Sequence, residues 1–211
     1  MLSRRPFGEN DRLCVLFTEN LGKVPVRFVG VNRPAGKLKA LSEPGVWGEY
    51  RLYLSPRSEL AKAVGGRLTA SFPRVREDLG RTLDALFCLE LLDRLTPDRL
   101  PSPEKYRLLC AVLAALEESP SPWLALSFGL RLVELAGVSL RERAPRAAAG
   151  VWAELHDAEP AALSLLTFDP AVEAEAREML ETHAAAQLGR PLRGALVRRA
   201  CLVRSLEGVP A

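Results

Sequence analysis

Read for its apolar positions alone, the chain changes period once, near Pro73. Before that point, short runs alternate or stay apolar; after it, apolar residues recur at three- and four-residue intervals. Residues 12–18 (RLCVLFT) and 23–29 (KVPVRFV) mix β-branched, aromatic and aliphatic side chains. The intervening ENLG supplies a hairpin connection, with Gly22 where a positive φ is expected. Residues 46–54 (VWGEYRLYL) predict a third strand, with Gly48 as a bulge or barrel corner. At strand spacing Trp47 and Tyr53 share one face and Tyr50 takes the other, and the expectation is that Trp47 and Tyr53 are core. Residues 60–72 (LAKAVGGRLTASF) offer shorter strand material broken at Gly65-Gly66. Several short strands with turn signals between them predict a small barrel or a sandwich.

Beyond Pro73 the period is helical. In residues 75–95, Leu79, Leu83, Leu86, Phe87, Leu91 and Leu95 form one predicted apolar face. Residues 96–106 (TPDRLPSPEKY) read as a linker, with Ser102-Pro103-Glu104 as a helix start. Residues 105–119 predict a second helix and 121–137 a third, stopped at Gly137. Residues 141–160 have no strong period and read as a connecting segment. Two more helices follow, at about 171–188 and 191–205. The chain is therefore expected to be α+β, with a β-module over residues 1–72 and an α-module over 73–211.

Composition narrows this picture. With 48% hydrophobic and 26% charged residues, the chain has the balance of a soluble globular protein. No stretch approaches the ~20 apolar residues of a membrane span. Two arginines near the start lack the apolar run of a secretory signal behind them, so the expected location is the cytoplasm, in association with the nucleoid. The four cysteines (Cys14, Cys88, Cys110, Cys201) are far apart and read as small buried apolar residues. Together with only two histidines, His156 and His183, they offer no zinc-ligand spacing, and neither a metal nor another cofactor is expected.

Charge is unevenly spread. Residues 1–70 hold 12 Lys/Arg against 6 Asp/Glu, residues 71–189 hold 12 against 19, and residues 190–211 hold 5 against 1. A basic β-module suggests a negative partner. No phosphate loop, nucleophile elbow or histidine–nucleophile pairing accompanies it; the acid pairs Glu9/Asp11 and Glu77/Asp78 sit in a turn and at a helix start. Catalysis is not expected, because acid–base chemistry needs such groups within hydrogen-bond reach. A barrel open on one face can instead bind nucleic acid with a basic groove and stacking aromatics. The candidate DNA-binding residues are Arg4, Arg5, Arg12, Lys23, Arg27, Arg33, Lys37, Lys39 and Arg51, with Arg57 beside them and Tyr50, Tyr53 and Trp47 as possible stackers. Among them stands GVNRPAGKLKALSEP (30–44), a loop stiffened by prolines and carrying three cations.

Several stretches resemble the RecO recombination-mediator family in order along the chain. PFGENDRLCVLFTENLGKV followed by GVNRPAGKLKALSEP is similar to the family's N-terminal module; Gly8, Glu9, Asp11, Arg12, Phe17, Thr18, Gly22, Gly30, Arg33, Pro34, Leu38, Glu43 and Pro44 fall in register. SFPRVREDLGRTLDALFCLELLDRLTP resembles its first helix. FGLRLVELAGVSL resembles its Phe-Glu-Leu-Arg-Leu-Leu segment, with Gly129 in place of the usual Glu, and HAAAQLGRPLRG resembles its closing stretch.

The resemblance implies an N-terminal OB-fold β-barrel followed by an all-α helical domain. It also implies a non-enzymatic mediator that binds single- and double-stranded DNA, anneals complementary strands and acts with RecR to load a recombinase on DNA coated by single-strand-binding protein. The helical domain of the family receives the acidic, Phe-ending tail of that protein, and Phe128 and Arg131 are the candidate partner-binding residues here. Arg131 has an alternative role as the ion-pair partner of Glu134 or Glu90. Two departures bear on these expectations. Family chains begin about ten residues earlier with an apolar strand, so an incomplete barrel or a displaced start is expected. Many members carry four cysteines as a zinc knuckle after the third helix, where residues 141–160 have none. A protein-interaction adaptor with weakened DNA binding is the alternative reading, and a hydrolase within the helices a third.

Overall fold

The structure, a computed structural model, describes residues 1–140, 149–163, 165–167 and 169–206, the side chains of 149 and 202–206 excepted. It divides into two compact units, Met1–Pro73 with Thr96–Arg107, and Arg74–Leu95 with Leu108–Ala211.

The first unit is built on five strands: β1 (Ser3–Phe7), β2 (Asp11–Thr18), β3 (Gly22–Phe28), β4 (Trp47–Tyr53) and β5 (Ala61–Ala70). Their order in the sheet is β1-β2-β3-β5-β4, antiparallel throughout except for β3 beside β5. The sheet closes on itself where the Gly45 N–H donates to Met1 O and the Met1 nitrogen donates to Val46 O, each at 3.0 Å. This is the five-stranded barrel of the OB fold. A stretch at the very start of the chain, SRRPF, is thus a strand in its own right. Inward positions alternate with outward ones, so Cys14, Leu16, Val24, Val26, Phe28, Ala61 and Ala63 fill the interior.

The aromatic residues of β4 point opposite to the sequence expectation. Trp47 and Tyr53 are 39% and 59% exposed, whereas Tyr50 packs edge-on against Phe28 and donates its hydroxyl to Leu41 O (3.1 Å). Glu49 and Arg51 have the parity of Trp47 and Tyr53, and that face must stay in water to solvate them.

Residues 96–106, read as a linker, lie on the barrel. The Arg99 N–H donates to Lys23 O (2.8 Å), Asp98 pairs with Lys23 (3.2 Å), and Tyr106 packs on Phe17 and accepts from Trp47 Nε1 (3.0 Å).

The second unit is helical. The helices are α1 (Pro73–Glu77), α2 (Leu79–Leu95), α3 (Pro103–Glu118), α4 (Pro122–Leu135), α5 (Ala149–Asp157), α6 (Pro160–Leu163), α7 (Pro170–Leu188) and α8 (Arg193–Leu206), of which Pro73 and the residues of α3 up to Arg107 belong to the first unit. The third helix ends where expected, with Gly137 at φ 77°. Of the stretch read as connecting segment, 141–148 lie outside the described residues and 149–157 are helix. The apolar face expected for α2 is also displaced. Leu83, Phe87 and Leu91 are buried together with Cys88, Leu89 and Leu92, but Leu79 and Leu86 are exposed. Cys14 and Cys88 are buried, and burial pushes the Cys14 thiol to about 11; Cys110 and Cys201 are only half-buried.

Helix α4 is apolar on all sides and buried from Trp123 to Leu130, against α2, α5, α6 and α7. Gly129 permits the approach of α7, since a Cβ there would stand 2.3 Å from Leu180 Cδ2. The family's usual Glu at this position would collide with that packing.

Candidate nucleic-acid interface

The loop at 30–44 is tied to the barrel at both ends. At its start, Asp11 accepts from the Gly30 N–H (2.7 Å) and pairs with Arg27 (2.7 Å). The backbone bond from Gly30, and then Arg27, hold the Asp11 carboxyl below the usual carboxylate range. At its far end, Arg12 donates from Nη1 to Ser42 Oγ and Glu43 Oε1, both at 2.8 Å, and from Nε to Asn32 Oδ1 at 2.9 Å. Between these anchors the backbone makes successive turns, Arg33 N–H to Gly30 O and Gly36 N–H to Arg33 O. Gly36 has no substitute in this geometry, because a Cβ would lie 2.5 Å from Val31 O. Leu38 packs on the core while Arg33, Lys37 and Lys39 are exposed. The anchors at both ends fix the backbone that carries these three cations.

The nine cations expected at the DNA site fall into two groups. Arg4 pairs with Glu43 (2.5 Å), Arg12 with the same oxygen, Lys23 with Asp98, and Arg27 with Asp11 while lying 5.0 Å from the centre of the Phe7 ring. Arg12 and Lys23 are largely buried as well, at 14% and 13% side-chain exposure. These two act as struts of the barrel, and a phosphate reaching them must displace a carboxylate. Arg5, Arg33, Lys37, Lys39 and Arg51 are exposed, and no ion pair holds them among the described residues. Lys62, also exposed and without an ion pair among the described residues, was not anticipated. Its alternation with buried Ala61 and Ala63 is the signal that marks it as outward.

In the helical unit the two candidate partner residues separate. Phe128 is fully buried in α4, where it is core and out of reach of a ligand. Arg131 is half-buried, and no ion pair engages it among the described residues. Of its two suggested partners, Glu134 contacts His156, and Glu90 pairs with Arg94 (2.5 Å) and accepts from the N–H groups of Arg193 and Gly194 at the start of α8. Asp84, by contrast, is deeply buried between Arg177 (3.5 Å) and Arg198. Among the described residues no group of three or more His, Cys, Asp or Glu is placed to hold a metal ion, and no helix is long and apolar enough to cross a membrane.

A family model described as Recombination protein O N terminal matches residues 1–72, the barrel strands and the anchored loop. A second, Recombination protein O C terminal, matches residues 76–144. The chain belongs to the RecO family. It is similar to the DNA repair protein RecO of an Exiguobacterium species, 33% identical over 135 residues that cover 63% of this chain and 53% of the relative. The Bacillus subtilis DNA repair protein RecO is 30% identical over 122 residues, 58% of this chain and 47% of its own. That of Geobacter metallireducens is 32% identical over 118 residues, 56% and 48%. The chain spans about half the length of the curated relatives it matches. Its RecO membership fits the OB barrel followed by helices.

Proposed function

We propose that this RecO-family chain is a recombination mediator in DNA repair that binds single- and double-stranded DNA and promotes annealing without bond chemistry of its own. The reading extends to joint action with RecR in loading a recombinase on DNA coated by single-strand-binding protein, in the cytoplasm at the nucleoid. The barrel of residues 1–72 is the DNA-binding part, and the partner-binding part lies within 73–211. The observation that carries the reading is the anchored loop with Arg33, Lys37 and Lys39 exposed and held by no ion pair among the described residues. Annealing brings two phosphate backbones together, and fixed cations lower that repulsion by releasing counterions.

Replacing Arg33, Lys37 and Lys39 together by alanine tests it. If three phosphates are contacted, the slope of log K against log salt on single strands becomes shallower by about 2. An unchanged slope removes the loop from the DNA site. For the tail of single-strand-binding protein, Arg131 supports a carboxylate-binding role because its guanidinium lacks an acid partner among the described residues. Phe128 contributes there only as the packed support of α4. A labelled tail peptide titrated against wild type and Arg131→Ala, with circular dichroism as the folding control, gives weaker binding to the variant if the assignment holds.

A further inference from the structure

We propose that α8 is a strap: a helix held shut on the helical unit by three carboxylates, which opens as one piece ahead of the rest when those carboxylates are screened or removed. The proposal concerns the helical unit alone and stands whether or not the barrel binds DNA. It starts from a helix whose sides are reversed. Among the described side chains of α8 only that of Ala195 is buried, with Leu192 just before the helix. Leu196 and Val197, its bulkiest described apolar residues, are 51% and 50% exposed. Arginines tie it to the body instead. Arg198 reaches the buried Asp84 of α2, and Arg199 reaches the buried Glu181 of α7 at 3.0 Å. A helix that belongs to a core turns its apolar residues in and its cations out.

The third carboxylate holds the start of the helix. Glu90 of α2 accepts from the N–H groups of Arg193 (3.0 Å) and Gly194 (2.9 Å), two of the amides that a helix start leaves without internal partners. Gly194 lies against the α2 backbone, where a Cβ would stand 3.4 Å from Phe87 Cα, so the first turn of α8 rests on α2 with no side chain between them. Asp84 and Glu181 then hold the second turn. The joint before α8 permits opening. Helix α7 is capped by Gly189 at φ 67°, and Pro191 follows before α8 begins. A Cβ at Gly189 would meet nothing within 4 Å, so this joint is not packed into the body. Ion pairs weaken as salt rises, whereas apolar packing of the kind that buries α4 does not. Salt therefore separates the two helices, and opening of α8 turns Asp84 and Phe87 of α2 toward solvent.

Hydrogen exchange followed by mass spectrometry on the full chain tests the strap, with α8 peptides read against peptides from α4. Raising sodium chloride from about 0.05 M to about 0.5 M is expected to speed α8 exchange roughly three- to tenfold relative to α4. Glu90→Ala at low salt is expected to speed it about 5- to 100-fold and to leave α4 within about twofold. Arg198→Ala, which removes nothing from α2, is the second variant and should also speed α8 alone. Exchange of α8 that ignores salt, or that occurs only together with α4, overturns the strap. So does a variant that speeds α4 as much as α8, because the carboxylates would then support the whole unit. Exchange graded from the far end of α8 and indifferent to Glu90→Ala is end fraying, and overturns it as well.

Discussion

Asp11 and Asp84 both face arginines, and they have opposite fates. Asp11 sits at the barrel rim, where the Gly30 N–H and Arg27 favour its charged form and hold its carboxyl low. Asp84 lies deep among α2, α7 and α8, where burial raises its carboxyl to about 6 against the pull of Arg177 and Arg198. The barrel places most of its cations outward, keeps Arg12 and Lys23 as paired struts and uses Asp11 to fix backbone, while the helical body buries Asp84 between two arginines. Regional net charge does not separate these uses. What separates them is whether a cation already has a carboxylate.

The sharpest way to break the comparison is to remove Asp84. Asp84→Ala takes from Arg198 the acid it pairs with and leaves Arg177 with Glu173 alone, and a loss of about 3–5 kcal/mol is expected in chemical denaturation. If the variant unfolds with the wild-type midpoint, the helical body does not depend on its internal charges.

Packing around α4 gives the next largest effect. Gly129→Ala drives a methyl group into Leu180 and is expected to cost about 1–3 kcal/mol. Leu180→Ala, itself costly at a fully buried site, should cost less in the Gly129→Ala background than alone, because the two changes share one space; strict additivity of the two would refute the contact.

pH tests the contrast directly. Because the Asp84 carboxyl is raised in the fold, the native state binds its proton more tightly than the unfolded chain does. Its contribution to stability is therefore fully present at low pH and lost as pH rises toward about 6. Asp11 runs the other way: its carboxyl is lowered, so its contribution is present above the ordinary carboxylate range and lost as pH falls through its depressed value. Stability measured from pH 3 to 7 should lose its Asp84 component in Asp84→Asn, whereas Asp11→Asn should remove a component at the acid end.

The smallest expected effect is local. The Gly30 amide proton should titrate with Asp11, at a pH below that of an ordinary carboxylate, and lose this response in Asp11→Asn. A Gly30 resonance indifferent to acid would mean that the loop start is held by something other than Asp11.

Much of this arrangement was legible in the sequence. The change of period at Pro73, the helix start at Pro103, the stop at Gly137 and the loop with its three cations all follow from local chemistry. The faces were harder to read. Alternation in VWGEYRLYL separates two sets of residues without saying which is inside, and the bulk of Trp47 and Tyr53 misled where the charges of Glu49 and Arg51 on the same parity were the better guide. Arg12 and Lys23 look like any other cation in the sequence, because Glu43 and Asp98, which hold them, come from 31 and 75 residues further on. Helix 149–157 lacked a clear period in a stretch dominated by alanine and charge.

The return of residues 96–107 to the barrel sets an order of events during synthesis. After Pro73 the chain first makes α1 and α2, and only later the segment that covers Phe17 and meets Lys23. At about 5–20 residues per second, the 34 residues from Pro73 to Arg107 take roughly 2–7 s. For that interval the nascent barrel has all five strands but an uncovered Phe17. The last of its cover to be made is Tyr106, the residue that joins Phe17 to Trp47.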